Sequence, residues 1–321
     1  MKSHFILLII VLFGVLLGRC QGGLTKNFYK KKCPDAEQII KTATEKHVSK
    51  NPILAAKFLR MHFHDCFVRG CDGSILLNSS SNTAEKDAVP NLTLSGFDVI
   101  DDIKAQVEKK CPGVVSCADV LALAARDSVS FPFQKPLWKV PTGRRDGRVS
   151  RIAEAMAQIP SPFSDFKTLA RSYASKGLSV HDLVVLSGGH TIGIGHCNLF
   201  SSRLYNFTGK GDQDPSLNKA YANFLKTKCR SLSDTTTIVE IDPRSSLNFD
   251  NNYYHVLKRN MGLFQSDAAL LTDKKALKSV NEMLNPSKFF QEFAISMQKM
   301  GAIGVLTGNA GEIRNKCSVV N

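Results

Sequence analysis

No two cysteines in this 321-residue chain are spaced as Cys-x-x-Cys. Paired zinc ligands of the zinc-finger kind are therefore not expected. Acidic residues are in short supply, with 28 Asp and Glu against 42 Lys and Arg, a formal net charge of +14. The basic residues are scattered, Lys30-Lys31-Lys32 being the longest run, and no nucleic-acid motif accompanies them. Nucleic acid is excluded as the expected partner, whereas weak adsorption to an anionic wall polysaccharide is expected of such a charge. After residue 17 no stretch is long and apolar enough for a membrane span. Internal repeats, low-complexity tracts and linkers are missing, so a single domain is expected over 23–321.

The first residues read as a leader. Lys2 precedes an apolar stretch from Phe5 to Leu17, and small residues follow in Gly18-Arg19-Cys20-Gln21-Gly22-Gly23. This is the pattern of a secretory signal peptide over residues 1–22, with cleavage before Gln21 or before Gly23. Either cut removes Cys20, and loss of Lys2 and Arg19 leaves a net charge of +12. The eight remaining cysteines are Cys33, Cys66, Cys71, Cys111, Cys117, Cys197, Cys229 and Cys317. An even number in an exported protein points to four disulfides, of which only Cys66–Cys71 is close enough to be read as a local loop.

Helical punctuation dominates. Ser164-Asp165 begins a run with Phe166, Leu169, Ala170 and Tyr173 on one face, closed by Gly177. Ser179 starts another, with Asp182 placed as in a capping box. Further helices are expected over Asp35–Val48, Pro52–Cys66, Phe97–Lys110, Ser116–Ser128, Leu217–Lys228, Asn251–Arg259, Asp273–Asn281 and Ser287–Met300. Strand-like alternation is confined to Trp138–Pro141 and the region near the C-terminus. The class is all-α.

Two histidines carry the chemistry. Arg60 and His64 are four apart in Phe58 to Phe67 and share a helix face. A histidine can pass a proton near neutral pH, and an arginine keeps its charge and stabilises developing negative charge. His190 stands in Leu186-Ser187-Gly188-Gly189-His190-Thr191, beside small residues that let a flat group approach. One histidine as proton shuttle and a second as metal ligand is the layout of a haem enzyme that splits hydrogen peroxide.

From about Gly23 to its last residue the chain resembles the secreted haem peroxidases of plants, of the horseradish type. The motifs are Phe28-Tyr29 before Cys33-Pro34, Leu59 to Val68, Gly70 to Leu77, Glu85-Lys86-Asp87, Val115 to Asp119, Gly143 to Asp146, Leu186 to Gly193, Arg203 to Phe207, Phe249-Asp250-Asn251 and Gln265-Ser266-Asp267. The resemblance implies two helical lobes around one haem b. With no Cys-x-x-Cys-His in the chain, that haem is expected to be held non-covalently. His64 would be the distal base, Arg60 its charge-stabilising partner and Asn91 the residue that holds the ring N–H of His64. His190 would be the axial ligand, with Asp267 raising its electron donation.

The resemblance further implies the disulfides Cys33–Cys111, Cys66–Cys71, Cys117–Cys317 and Cys197–Cys229. It implies two Ca²⁺ ions, which favour six or more oxygens. One would take side-chain oxygen from Asp65, Asp72 and Ser74, carbonyls from Val68 and Gly70, and Glu85 through water. The other would take Thr191, Asp242, Ser245, the carbonyl of Asn248, and Asp250. Ser245 stands where the family usually has threonine, and the hydroxyl survives. Pro160 matches the rim where small phenolic reductants meet the haem edge, although Phe163 is followed here by Ser164. Asn78, Asn91 and Asn206 head N-glycosylation sequons; Asn78 and Asn206 are the expected sites, because a glycan on Asn91 conflicts with its pocket role. His47, His62, His181, His196 and His255 are read as structural.

Two rivals remain at this level. A hydrolase using Cys66 is disfavoured because a bridged sulfur is no nucleophile. A basic wall-binding protein that kept the fold without haem is disfavoured by the intact Arg60, His64, His190 and Asp267. The expected protein is a monomeric, exported peroxidase, and with no extension after Cys317 to Asn321 the cell wall space is expected rather than the vacuole.

Overall fold

The computed structural model describes residues 23–321; the expected leader and its cleavage point lie outside the described residues. Four helices form the first half: α1 (Ala36–Lys50), α2 (Leu54–Val68), α3 (Phe97–Lys110) and α4 (Cys117–Ser130). α4 is buried at every position. Its apolar run from Val120 to Ala125 suits a helix enclosed by others, and its buried charges are paired, Asp119 with Arg144 and Arg126 with Asp127. Ser116 caps it by accepting the N–H of Asp119 at 3.1 Å, satisfying one donor that would otherwise be orphaned. α1, α2 and α3 wrap it around a core that includes Ile40, Phe58, Met61, Ile103 and Leu121. Phe58 is fully buried, and truncating such a ring to alanine costs about 3–5 kcal/mol.

The second half runs through α5 (Ile152–Gln158), α6 (Phe166–Ser175), α7 (Val180–Ser187), a tight turn over Gly188–Thr191, and strand β1 (Ile194–His196). It continues with α8 (Ser202–Tyr205), α9 (Lys219–Lys228), strand β2 (Ile238–Glu240), α10 (Asn252–Lys258), α11 (Gln265–Ala269), α12 (Lys274–Met283) and α13 (Pro286–Met300). α6, α12 and α13 pack on α7 around a core with Leu183, Val184, Phe289 and Phe293. α2 is the shared wall. Phe58 and Met61 serve the first core, while Leu59 and Phe67, on the other side, serve the second.

The expected helices are all present, with ends moved by caps. Asn218 accepts the N–H of Tyr221 at 3.1 Å, so α9 begins at Lys219 rather than Leu217. Ser179 and Asp182 form the reciprocal capping box. The strand expectation was misplaced. Trp138–Pro141 forms no strand or bridge, and Thr142 just after it and the C-terminal region form only isolated bridges, Thr25 with Thr142, Arg145 with Leu306 and Asp146 with Glu312. The antiparallel pair is β1–β2, with Gly195 opposite Val239. Three residues per strand are too few to show a period of two.

Four disulfides join Cys33 to Cys111, Cys66 to Cys71, Cys117 to Cys317 and Cys197 to Cys229, the pairing that the resemblance implies. Cys117–Cys317 ties the start of α4 to the chain end across 200 residues. Among the described residues no helix is long and apolar enough to cross a membrane.

Candidate active site

His64 lies in the third turn of α2 and is 4% exposed. Its Nδ1 is 2.5 Å from Oδ1 of Asn91. The amide cannot be turned round, because its Nδ2 donates to the carbonyl of Glu85 at 2.7 Å. With an oxygen facing it, Nδ1 carries the hydrogen and Nε2 is left as the acceptor. Burial, and then the charge of Arg60, push the imidazole down to about 3, while the Asn91 bond resists. His64 is thus a neutral base at physiological pH.

Arg60 stands one turn earlier on the same helix. Its Nη1 donates to Thr93 Oγ1 at 2.9 Å and its Nη2 to the carbonyl of Pro90 at 2.7 Å. The guanidinium therefore ties down the loop that carries Asn91. The sequence showed the shared face but not this engagement, which depends on where a loop 30 residues away comes to rest.

The second histidine sits where α7 ends. Gly188 is required there for space, because a Cβ on it would strike the Tyr254 hydroxyl and the Phe289 ring, whereas one on Gly189 would press only on Leu59 Cδ2, at 3.3 Å. A Cβ on Gly193, whose φ is +104°, would meet Ala56 at 3.1 Å. The segment 189–193 thus abuts α2 at Ala56 and Leu59, directly before Arg60. His190 Nδ1 bonds Asp267 Oδ1 at 2.8 Å. The imidazole lies edge-on to Tyr253 and Phe264, at 5.9 and 5.4 Å between centroids. Burial opposes the charge on Asp267, but His190, the Phe264 N–H and the Tyr253 hydroxyl together hold its carboxyl below the ordinary range.

The His190 side chain is 38% exposed although that of Asp267 is 1% exposed. Its Nε2 takes no hydrogen bond among the described residues. A histidine anchored by a carboxylate at Nδ1 and presenting a bare Nε2 beside two glycines fits the ligand side of a flat iron macrocycle.

Near His64 lies a buried acidic cluster. Asp65, Ser74 and Glu85 are fully buried and Asp72 nearly so. Asp65 accepts backbone N–H groups from Gly73 and Ile75, and Asp72 accepts that of Ser74. Among the described residues the hydroxyl of Ser74 and both carboxylate oxygens of Glu85 have no partner. Burial and then the charge of Asp72 raise the Asp65 carboxyl well above the usual range. Burial and then Asp65 push Glu85 up to about 9. Burial thus favours the neutral carboxyls in the absence of a cation, and as an all-oxygen set the cluster fits hard Ca²⁺. The Val68 carbonyl also accepts from Lys176 Nζ at 3.3 Å and that of Gly70 from the N–H of Asp72 at 2.7 Å; each keeps one lone pair.

The cluster next to His190 is looser. Thr191 Oγ1 donates to Asp242 and Asp250 at 3.2 and 3.0 Å, and Ser245 Oγ to Asp250 at 3.3 Å. Burial, and then Asp250 among the charges, raises Asp242 to about 6. Asn248 is exposed, its N–H bonded to the Ser245 carbonyl at 2.9 Å. Asn252, which sequence reasoning missed, donates to Asp242 at 2.7 Å. Tyr253 was missed too. Only the Tyr253-Tyr254 pair inside an expected helix hinted at it.

Pro160 is half-buried just after α5, a helix that packs on the Val89–Asn91 turn and on α2. Asn78 is exposed and Asn206 half-exposed, whereas Asn91 is 1% exposed with both amide ends bonded. His62 is buried with Nδ1 3.6 Å from Cys66 Sγ. His62, Cys66 and Cys71 lie close enough together to share a metal ion, but both sulfurs are spent in a disulfide. That bond also removes the Cys66 nucleophile.

A peroxidase family model matches residues 40–286, and the chain belongs to the peroxidase family. Peroxidase 3 of Arabidopsis thaliana is 55% identical over 309 residues, which is 95% of this chain and 94% of that protein. Peroxidase 30 and Peroxidase 39 of the same plant are each 53% identical, covering 97% and 98% of this chain and 96% and 98% of their own lengths. The kinship is with the plant secretory haem peroxidases. The protein is an enzyme that oxidises donors at the expense of hydrogen peroxide, and its family implies haem.

Proposed function

We propose that the chain binds one haem b non-covalently between His64 and His190 and uses hydrogen peroxide to oxidise small phenolic donors one electron at a time. One observation carries this reading. Both histidines are gripped at Nδ1 and present Nε2, but by acceptors of different kind. Asn91 is neutral, so its histidine remains a base. Asp267 is a carboxylate, so its histidine becomes an electron-rich ligand.

Bound haem supplies the iron at which peroxide is split and the oxidising equivalents that donors then remove. His64 takes the proton from the inner peroxide oxygen at Nε2 and returns it to the outer one, so that water leaves rather than hydroxide. Arg60 places a fixed positive charge beside that transfer, where negative charge develops. Asn91 keeps the histidine in the tautomer that can accept. Pro160 and the neighbouring rim receive the phenol.

Two calcium ions brace these groups. Asp65, Val68, Gly70, Asp72, Ser74 and Glu85 hold one beside His64. Thr191, Asp242, Ser245, Asn248 and Asp250 hold the other beside His190. The enzyme is exported as a monomer to the cell wall space, where its positive charge adsorbs it to anionic polysaccharide and its glycans sit on Asn78 and Asn206. Hydrogen peroxide removal and wall phenolic metabolism, including that of lignin and suberin, follow from that location.

The test is the absorption spectrum of the purified exported protein. A Soret band that changes on adding peroxide and returns on adding a phenol is expected. A protein that lacks the band and cannot be loaded with haem would be a wall-binding relative instead.

A further inference from the structure

Asp267 bears two side-chain donors on one oxygen. Its Oδ1 accepts from His190 Nδ1 at 2.8 Å and from the phenol of Tyr253 at 2.9 Å, while Oδ2 takes the N–H of Phe264 at 2.8 Å. Asp267 and Tyr253 are each 1% exposed. A hydrogen bond to a charged group is among the stronger kinds in a protein, and the low dielectric of a buried site strengthens it further. The phenol therefore withdraws charge from the oxygen that holds the histidine.

The hydroxyl has little freedom to do otherwise. Tyr253 and Tyr254 are neighbours in α10 and point to different sides of it. Tyr254 donates to the carbonyls of Val184 and Val185, at 3.2 Å each, in α7. α10 is thus pinned to the helix that leads into His190, and the Tyr253 ring stands at 82° to the imidazole.

We propose that Tyr253 is a positioning residue that limits how much negative charge Asp267 lends to His190, and so tunes the electron richness of the iron centre. The inference rests on His190 being the iron ligand. With the phenol gone, Asp267 Oδ1 has one side-chain donor left. The Nδ1 proton is drawn closer to the carboxylate, the imidazole gains imidazolate character, and the ferric state is favoured. A tyrosine that merely fills space would be replaced by phenylalanine without electronic effect.

The experiment compares haem-loaded wild type, Tyr253→Phe, and protein with difluorotyrosine at position 253, whose phenol is the stronger donor. Resonance Raman of the ferrous protein reads the iron–histidine stretch, and a redox titration reads the ferric–ferrous midpoint. Tyr253→Phe should raise the stretching frequency and shift the equilibrium towards ferric about tenfold, about 59 mV for one electron. Difluorotyrosine should move both in the opposite direction, and it decides alone if Tyr253→Phe takes up no haem. Wild-type values, or shifts of one sign in both proteins, overturn the proposal. A wild type without any iron–histidine band overturns the assignment of His190 as well, whereas a band indifferent to Tyr253 leaves that assignment standing.

Discussion

Glu85 reaches Asn91 with its backbone and the acidic cluster with its side chain. Its carbonyl oxygen takes the Asn91 amide at 2.7 Å, while its carboxylate lies unpartnered near Asp65 and Asp72. The proposed calcium site and the proposed base are therefore coupled by two routes, through Glu85 to Asn91 and along α2 from Asp65 to His64.

His64→Leu should leave haem binding intact and slow the reaction with peroxide by more than the ~10²–10⁴ typical of general acid–base catalysis, since both proton movements are lost. Arg60→Leu should cost less, because the shuttle survives. Stopped-flow mixing with peroxide measures both, and a near-wild-type rate for His64→Leu would remove the histidine from its role. Because the imidazole is held down to about 3, the wild-type rate should stay level as pH falls and drop only towards that value. Asn91→Asp puts a carboxylate beside the imidazolium and should move the acid limb upwards. A wild-type limb near 6.5, the ordinary histidine value, would contradict the buried, neutral state.

In the proposed distal calcium site, Ca²⁺ and protons should compete for the same carboxylates. Glu85 is raised to about 9, against about 4.3 in an unfolded chain. Between those values the folded calcium-free protein keeps a proton that the unfolded chain has released, so its stability falls as pH rises through that window. A bound cation keeps the carboxylates ionised in the folded state, so that neither state gives up a proton in this window and the fall is abolished. Thermal unfolding with and without chelator should therefore show a gap that widens with pH. Chelation should also slow the peroxide reaction and change the iron spin state, both restored by Ca²⁺. Asp72→Ala should reproduce the distal part of the loss and Asp250→Ala the proximal part. Protein shown by metal analysis to have lost both ions, yet unchanged in spectrum and rate, would remove the calcium assignments while sparing the peroxidase activity.

Non-reducing peptide mapping of the mature protein should find the four bridges and no free thiol. Replacing Cys117 and Cys317 by serine opens a loop of 200 residues and should cost about 2–5 kcal/mol. A free Cys66 would reopen the nucleophile reading.

Glycopeptide analysis should find sugar on Asn78 and Asn206 and none on Asn91. The Asn91 nitrogen that would carry the glycan is buried and already donates to Glu85. Occupancy of Asn91 would mean that its pocket does not form.

The local grammar of the chain was readable in advance. The α3 boundaries fall at Phe97 and Lys110 as expected, and Ser179 with Asp182 caps α7, because caps and apolar faces depend on residues within a turn or two. Arg60 and His64 share a face for the same reason. The bonds that hold His64 to Asn91 and His190 to Asp267 were named only through family resemblance, since no local rule spans 27 or 77 residues. Tertiary structure alone decided the rest. It turned the Arg60 guanidinium onto Pro90 and Thr93, set the Tyr253 phenol on Asp267, and paired β1 with β2 rather than forming strands near Trp138. Each of these joins groups distant in sequence, and their meeting is determined by how whole helices pack, which no short window of residues encodes.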